Sequence, residues 1–433
     1  MALKIKKDSS TNKMTYAYQA VGVGIVCPPL GTPHQLLNYN YVNFVPVSVP
    51  SPPPIEMPEA NLPRVLNYYA DYGGCGYWRM IWPEYLLNLN HKIISSGMTQ
   101  MILDLRFYQN IKAVRFQRQA TKHQMMFIKE LYKIKKDLGT RLLYEVDDIV
   151  FKNDIPEYNR CKEAFDNDEI ANNIKEIIGM MDEMTVTCQY MKDYYIDKTG
   201  NKKITVIPNY APKFWLDRYY SPEKILHNFE KNAKRPRILY SGSGTHVDVV
   251  NKTGSFKDDF HHVVDEIIKA RKKFKFVWKG CYPMAMKPFI DNGDMEFLPW
   301  SSLSEYPKGL VDANCNVYFA SLVDNVFNKS KSNIKMIEAG AIGLPGAYQD
   351  LCTYQEAEHK FITGKDLINQ LEVITSDVNK YMDISARARK FADGLWLEDH
   401  LDEYEALYLT EWGSAERNIK SPVLISNNKD QKI

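Results

Sequence analysis

The plainest chemistry in the chain belongs to a lysine between two serines, followed by a glutamate. Ser330, Lys331 and Ser332 follow Lys329 at the start of the stretch KSKSNIKMIEAGAIGLPG, and Glu338 lies within it. A cation and two hydroxyls at a helix start suit a diphosphate, because the first turn offers unpaired N–H groups and the positive end of the helix dipole. Glu338 is about two turns further in, too far for the phosphates but able to face a ribose. Asp324 and Asn328 are further polar groups in the loop before the helix. A second set is Asp147 and Asp148, adjacent carboxylates that could take a proton from a hydroxyl or orient a sugar. Gly73 and Gly74, with Gly76, form a loop whose backbone can approach a ligand closely, with Arg79 just beyond. In SGSGTH at 241–246, Ser243 and Gly244 let phosphates or a sugar sit against backbone N–H groups. His246 stands alone in that loop and reads first as structural.

These residues need strands and helices to hold them. Val317 to Ala320 reads as a buried parallel strand, apolar on both faces. Ile334, Ile337 and Ala341 recur at helical spacing, and Gly343 and Pro345 stop the helix. Asp147 and Asp148 end the strand Arg141 to Val146, and the carboxyl ends of parallel strands are where α/β sites form. Arg64 to Tyr69, Met101 to Leu103, Ala113 to Gln117, Glu183 to Thr187 and Lys203 to Ile207 supply further strands. Arg237 to Tyr240, Phe274 to Trp278 and Glu296 to Leu298 do the same in the second half. A long amphipathic helix puts Met126, Ile128, Leu131, Ile134 and Leu138 on one stripe, and Gly139 ends it. Helices are expected at Leu367 to Val378, Val378 to Asp393 and Leu401 to Trp412.

The fold class is therefore α/β, with two doubly wound, Rossmann-like domains facing across a cleft. We divide the chain into an irregular, proline-rich arm at 1–60, a first Rossmann-like domain at 61–212 and a linker at 213–234. A second Rossmann-like domain at 235–390 follows, then helices at 391–415 that pack back on the first domain, and a polar tail at 416–433.

Composition narrows the function classes. A net charge of +2 over 433 residues excludes a globally basic nucleic-acid binder, so any basic surface must be local. The seven cysteines are scattered without a Cys-x-x-Cys pair, which points to free thiols and no structural zinc. With no long apolar run and a polar start, a cytoplasmic protein is expected, in the host cytoplasm if viral.

Seven segments, taken in order, carry a resemblance. They are GGCGYWR in the first loop, FQR at 116–118, LLYEVDD at 142–148, ITVIPNY at 204–210, SGSGTH at 241–246, FVWKG at 276–280 and DNVFNKSKSNIKMIEAGAIGLPG at 324–346. Over these the chain resembles the GT-B glycosyltransferases, in particular family 4-like enzymes of bacteria and tailed phages. The resemblance implies transfer of a sugar from a nucleotide sugar, a UDP-sugar first among them, with retention of configuration, the domain at 61–212 binding the acceptor and the domain at 235–390 the nucleotide sugar. No metal or other cofactor is implied. Glu338 matches the second glutamate of the family motif and would hold the ribose. Ser330 stands where the first glutamate is usual, so Asp324 or Asn328 would substitute for it. SGSGTH lacks the family's Arg and Lys, which leaves Lys331, and Lys279 as a second candidate, to meet the diphosphate. Asp147 falls where many relatives have a histidine near the donor sugar, and Gly73 and Gly74 fall where the first domain approaches the phosphates.

The acceptor has two enzymatic readings. A 5-hydroxymethylpyrimidine in double-stranded phage DNA would need a local basic patch, for which Lys112, Arg115, Arg118 and Lys122 with Phe116 are the candidates. Arg79, Arg115 and Arg118 would then be acceptor-binding. A transferase building a cell-surface or capsule glycan could instead use Trp78 and Trp82 at a membrane surface. The non-enzymatic reading is a GT-B protein that binds a nucleotide sugar without turning it over.

Overall fold

The computed structural model describes residues 62–248 and 257–410, apart from His91 and Asp166, together with five strands of two or three residues before them. The rest of the arm at 1–60, and the tail at 416–433, lie outside the described residues.

The first sheet has six parallel strands: β1 (Arg64–Tyr68), β2 (Ile94–Met98), β3 (Ile111–Gln117), β4 (Arg141–Glu145), β5 (Glu183–Val186) and β6 (Ile204–Val206). Their order is β6-β5-β4-β3-β1-β2, so the winding reverses between β1 and β3. The second sheet holds β7 (Arg237–Ser241), β8 (Lys275–Lys279), β9 (Glu296–Leu298), β10 (Val317–Ala320), β11 (Gly346–Gln349) and β12 (Lys360–Phe361). It runs β9-β8-β7-β10-β11-β12 and reverses between β7 and β10. In open parallel sheets ligands bind outside the carboxyl ends of the strands at such reversals. Two doubly wound sheets facing across a cleft form the GT-B arrangement expected from the sequence.

Local chemistry sets the elements. Thr121 caps the helix Lys122–Leu138 with a reciprocal box to Gln124, and Gly139 ends it in the left-handed region at φ 66°. Phe127, Ile128 and Leu131 are its buried apolar residues, while Met126 faces solvent, one position off the stripe drawn from periodicity. The strand expected at Met101 to Leu103 is absent; the edge strand is β2, whose ISSGM has too few apolar residues to announce itself. The glycines at 74–76 are not an open loop either. They form the first helical turn, which runs through a π-turn at Tyr77–Ile81 into Trp82–Leu89. Asp71 causes this, accepting from the N–H of Gly73 at 2.7 Å and of Gly76 at 3.4 Å.

Each sheet has its own core: Leu142, Tyr144 and Ile174 lie in the first, and Ile238, Trp278 and Phe319 in the second. A third cluster spans both domains, with Trp78, Trp82 and Trp215 meeting Tyr210, Ile337 and Trp396. The helix Leu401–Leu409 lies on the first domain, where Tyr408 donates to Asn67 at 3.0 Å and Arg141 donates to the Leu407 carbonyl at 2.5 Å.

Candidate functional site

The second-domain half of the site grows from β7 and β10. The chain leaves β10 at Ala320 and reaches the helix Ile334–Ala341, whose N-cap residue Asn333 makes no side-chain cap. The first turn thus keeps N–H groups for an anion. Lys331 Nζ lies over the Phe327 ring at 4.3 Å, beside that turn. Lys335, four residues on, donates to the Ser241 carbonyl at 2.6 Å, at the end of β7. A Cβ at Gly242 would lie 2.9 Å from Lys335 Nζ, so the glycine lets the β7 loop close over the lysine. Burial pushes the Lys335 ammonium down to about 8, with Glu338 opposing that shift and Lys331 adding to it. Burial pushes the Glu338 carboxyl up to about 7 against hydrogen bonding from Tyr306 and the charge of Lys335. Tyr306 Oη donates to Glu338 Oε2 at 2.8 Å and pairs with Ser241 Oγ at 3.0 Å.

The first-domain half grows from β1, β3 and β4. Arg118 follows β3 at φ +58°, a left-handed conformation uncommon for a side-chain-bearing residue. Its Nη2 reaches Asp71 Oδ2 at 2.7 Å and its Nη1 lies 3.6 Å from Asp147 Oδ1. That oxygen is buried and has no hydrogen-bond partner among the described residues. Burial raises the Asp147 carboxyl, but Arg118, a hydrogen bond from Cys75, Arg79 and Lys331 outweigh it and hold it below the usual carboxylate value. The Cys75 thiol is pushed well up by burial and by Asp147.

The halves meet directly. Lys331 Nζ contacts Asp148 Oδ1 at 2.7 Å and Oδ2 at 2.9 Å. Burial lowers the Lys331 ammonium, yet Asp148, with Cys75 and Asp147, more than offsets this and holds it above its usual value. Asn209 Nδ2 donates to Ser332 Oγ at 2.7 Å, a second bond across the cleft. Lys331, Ser332, Glu338, Asp147, Asp148 and Arg118 therefore gather near one cleft. Gly74 leaves open space where a Cβ would stand, and Ser243 Oγ pairs with Thr245 Oγ1 at 2.8 Å in the β7 loop.

Other expected residues do not converge there. Ser330 is fully buried and its hydroxyl donates to the Phe327 carbonyl at 2.6 Å, closing a turn. Asn328 is also fully buried and donates to Asp259, to Tyr158 and to the Val323 carbonyl. Asp324 is exposed and pairs with Lys329 at 2.7 Å. Lys279 is buried at the end of β8, donating to Ser301 Oγ at 3.1 Å, and burial lowers its ammonium. Arg79 and Arg115 have 0% exposure, which is at odds with an acceptor contact for either. Arg79 grips Glu145 Oε1 at 2.7 Å and the Ile207 carbonyl at 2.7 Å, and Arg115 pairs with the same carboxylate. The basic patch is thus dispersed, since Arg115 is buried and Lys112 and Arg118 lie at opposite ends of β3, roughly 20 Å apart at strand rise. Trp78 and Trp82 are buried against Trp215 and present no face to a membrane.

Sequence reasoning missed Lys335, Asp71 and Tyr306. Lys335 had a signal in its spacing from Lys331. Asp71 stood two residues before the glycine pair, and Tyr306 comes from a distant helix that no local pattern connects to Glu338.

No family model matches the chain, and no curated protein matches it. Among solved structures it is similar to an S. aureus TarM mutant in complex with fondaparinux, alpha-GlcNAc-glycerol and UDP, at 10% identity and TM-score 0.47, over 69% of this chain and 55% of that one. It thus spans about half the length of TarM. It is also similar to a trehalose-6-phosphate structure from E. coli bound with UDP-2-fluoro glucose, at 9% identity and TM-score 0.44, over 76% and 82% of the two chains. A third similar structure is the wall teichoic acid polymerase TagF, at 9% identity and TM-score 0.39, over 80% and 88%. Among the described residues no helix is long and apolar enough to cross a membrane.

Proposed function

We propose that the chain is a glycosyltransferase that moves a sugar from a nucleoside-diphosphate sugar, a UDP-sugar in the first instance, to an acceptor hydroxyl in the interdomain cleft. The observation that carries this reading is the convergence of Lys331, Lys335, an uncapped helix start and Glu338 at the second sheet's reversal, opposite Asp147 and Asp148.

Each group then has a task. The two lysines and the helix N–H groups stabilise the diphosphate as it leaves. Glu338, oriented by Tyr306, accepts from the ribose hydroxyls. The diphosphate competes with Asp148 for Lys331, and the released carboxylate is free to take the acceptor proton. Asp147, held below its usual value by Arg118, is a weak base and serves better as an acceptor for a sugar hydroxyl. Because Lys331 and Asp148 touch, opening of the cleft precedes donor entry, and reclosure excludes water. Retention of configuration is part of the proposal and rests on the resemblance. A hydroxymethylated base in duplex DNA remains an acceptor to assay, but it would need a phosphate-binding face other than the four residues first considered.

The test is a screen for nucleotide release across nucleotide sugars, with and without hydroxymethylated DNA or glycan acceptors. Release that depends on Lys331 and Glu338 supports the proposal. Nucleotide-sugar binding without release under any acceptor makes the chain a binding protein, and no binding at all overturns the site.

A further inference from the structure

Between β4 and the helix Asp168–Met180 the chain leaves the first domain and docks on the second. Ile149 and Ile155 pack with Phe327 of the second domain. Tyr158 Oη donates to Asp259 Oδ1 at 2.6 Å, while Asp259 Oδ2 lies 2.8 Å from His246 Nδ1. One buried carboxylate therefore fixes both this excursion and the β7 loop. Asn159 Oδ1 accepts from the Cys161 N–H at 2.8 Å, a turn that spans Arg160. Arg160 lies inside this turn, two residues past the Tyr158 anchor, and its guanidinium lies over the β7 loop: a Cβ built on Gly244 would be 3.4 Å from Nη1 and 3.6 Å from Cζ. It shares a field with Lys331, Asp148 and Arg118, all of which act on the neighbouring Cys161 thiol. Lys331 and Arg118 each have a carboxylate partner; Arg160 has neither hydrogen bond nor ion pair among the described residues.

A guanidinium without a partner among the described residues, set against a glycine-bearing loop, is arranged to take an anion. The loop is the one whose Ser243 and Gly244 suit phosphates or a sugar by sequence, and Lys335 of the proposed donor site is bonded to its start at Ser241. We propose that Arg160 is a donor-binding residue delivered across the cleft by the first domain, taking the distal phosphate of the nucleoside diphosphate against Ser243 and Gly244. This inference rests on the proposed donor site. It adds a first-domain contact to the donor, so that the diphosphate itself draws the domains together.

The experiment is calorimetric titration of the full chain with UDP and with UMP, using wild type, Arg160→Ala and Arg160→Lys. Arg160→Ala should weaken UDP by roughly 10- to 100-fold, the worth of one charge-assisted hydrogen bond, and leave UMP within about threefold. Arg160→Lys should recover part of the UDP affinity, because it restores the charge without the fork. Melting curves check that the variants fold; if Arg160→Ala does not, the UDP-to-UMP ratio of Arg160→Lys decides. Equal loss for both nucleotides, or no loss for either, overturns the assignment while leaving the donor site standing. If wild type binds neither nucleotide, the donor site fails and Arg160's role with it.

Discussion

Replacing Lys335 by methionine tests whether the second cation of the donor site has been identified correctly. The methionine keeps the length of the stem and removes the charge. Loss of a charge-assisted hydrogen bond costs about 1.5–3 kcal/mol, or a rise in the UDP dissociation constant of roughly 10- to 150-fold. The structure adds a pH signature. Burial pushes Lys335 down to about 8 in the free protein, and a bound diphosphate favours its charged form. Wild-type affinity should therefore be full below pH 8 and fall as the pH rises through that value, by up to about tenfold per unit. Methionine at 335 should flatten the fall above pH 8. Glu338 raises the Lys335 value, so Glu338→Gln should move the fall to lower pH. Fluorescence or calorimetric titration with UDP from pH 6.5 to 9.5, values chosen to bracket that window roughly, reads all three proteins. A methionine variant that binds more weakly but keeps the wild-type pH profile would refute the role of Lys335.

Three further outcomes are expected. Glu145→Gln leaves the buried guanidiniums of Arg79 and Arg115 without their carboxylate, and should lower unfolding stability by about 3–5 kcal/mol in urea titration; a change under about 1 kcal/mol would mean that the cluster relaxes or admits water. Gly76→Ala should damage both stability and nucleotide release, because its Cβ would lie 2.0 Å from the Asp71 carbonyl oxygen, whereas Gly74→Ala, with nothing within 4 Å, should fold normally; equal melting temperatures for the two would contradict the described turn. Asp148→Asn removes the resting partner of Lys331, so UDP should bind up to about fivefold more tightly while turnover falls; weaker binding together with lost stability would mark the pair as structural.

The strand at Val317–Ala320 was legible to the residue and the helix at Ile334–Ala341 in its existence and buried face, because a buried parallel strand and a three-four repeat are strong patterns, although the helix starts after Ser332 rather than at it. β2 was not, since an edge strand of serines and glycine buries little and leaves no pattern to read. Within the site, Lys331 and Glu338 stood out because their context is local, a helix start and one face of its second turn. The arginines misled for the opposite reason. Charge in a sequence suggests a surface, and only tertiary structure shows that Glu145, dozens of residues from each, draws Arg79 and Arg115 into the core. Ser330 and Asn328 misled similarly, since loop hydroxyls and amides serve turns as readily as ligands. Arg160 lay in a segment with no motif, and only the docking of that segment through Tyr158 and Asp259 places it at the cleft.

The central claim is that a nucleotide diphosphate sits at the start of the helix Ile334–Ala341. A crystal structure of the protein with UDP measures this most directly. The account predicts the diphosphate between Lys331, Lys335 and the Ser243–Gly244 loop, with the ribose hydroxyls on Glu338 and Asp148 released from Lys331. UDP bound elsewhere, with the contact between Lys331 and Asp148 intact, would contradict it.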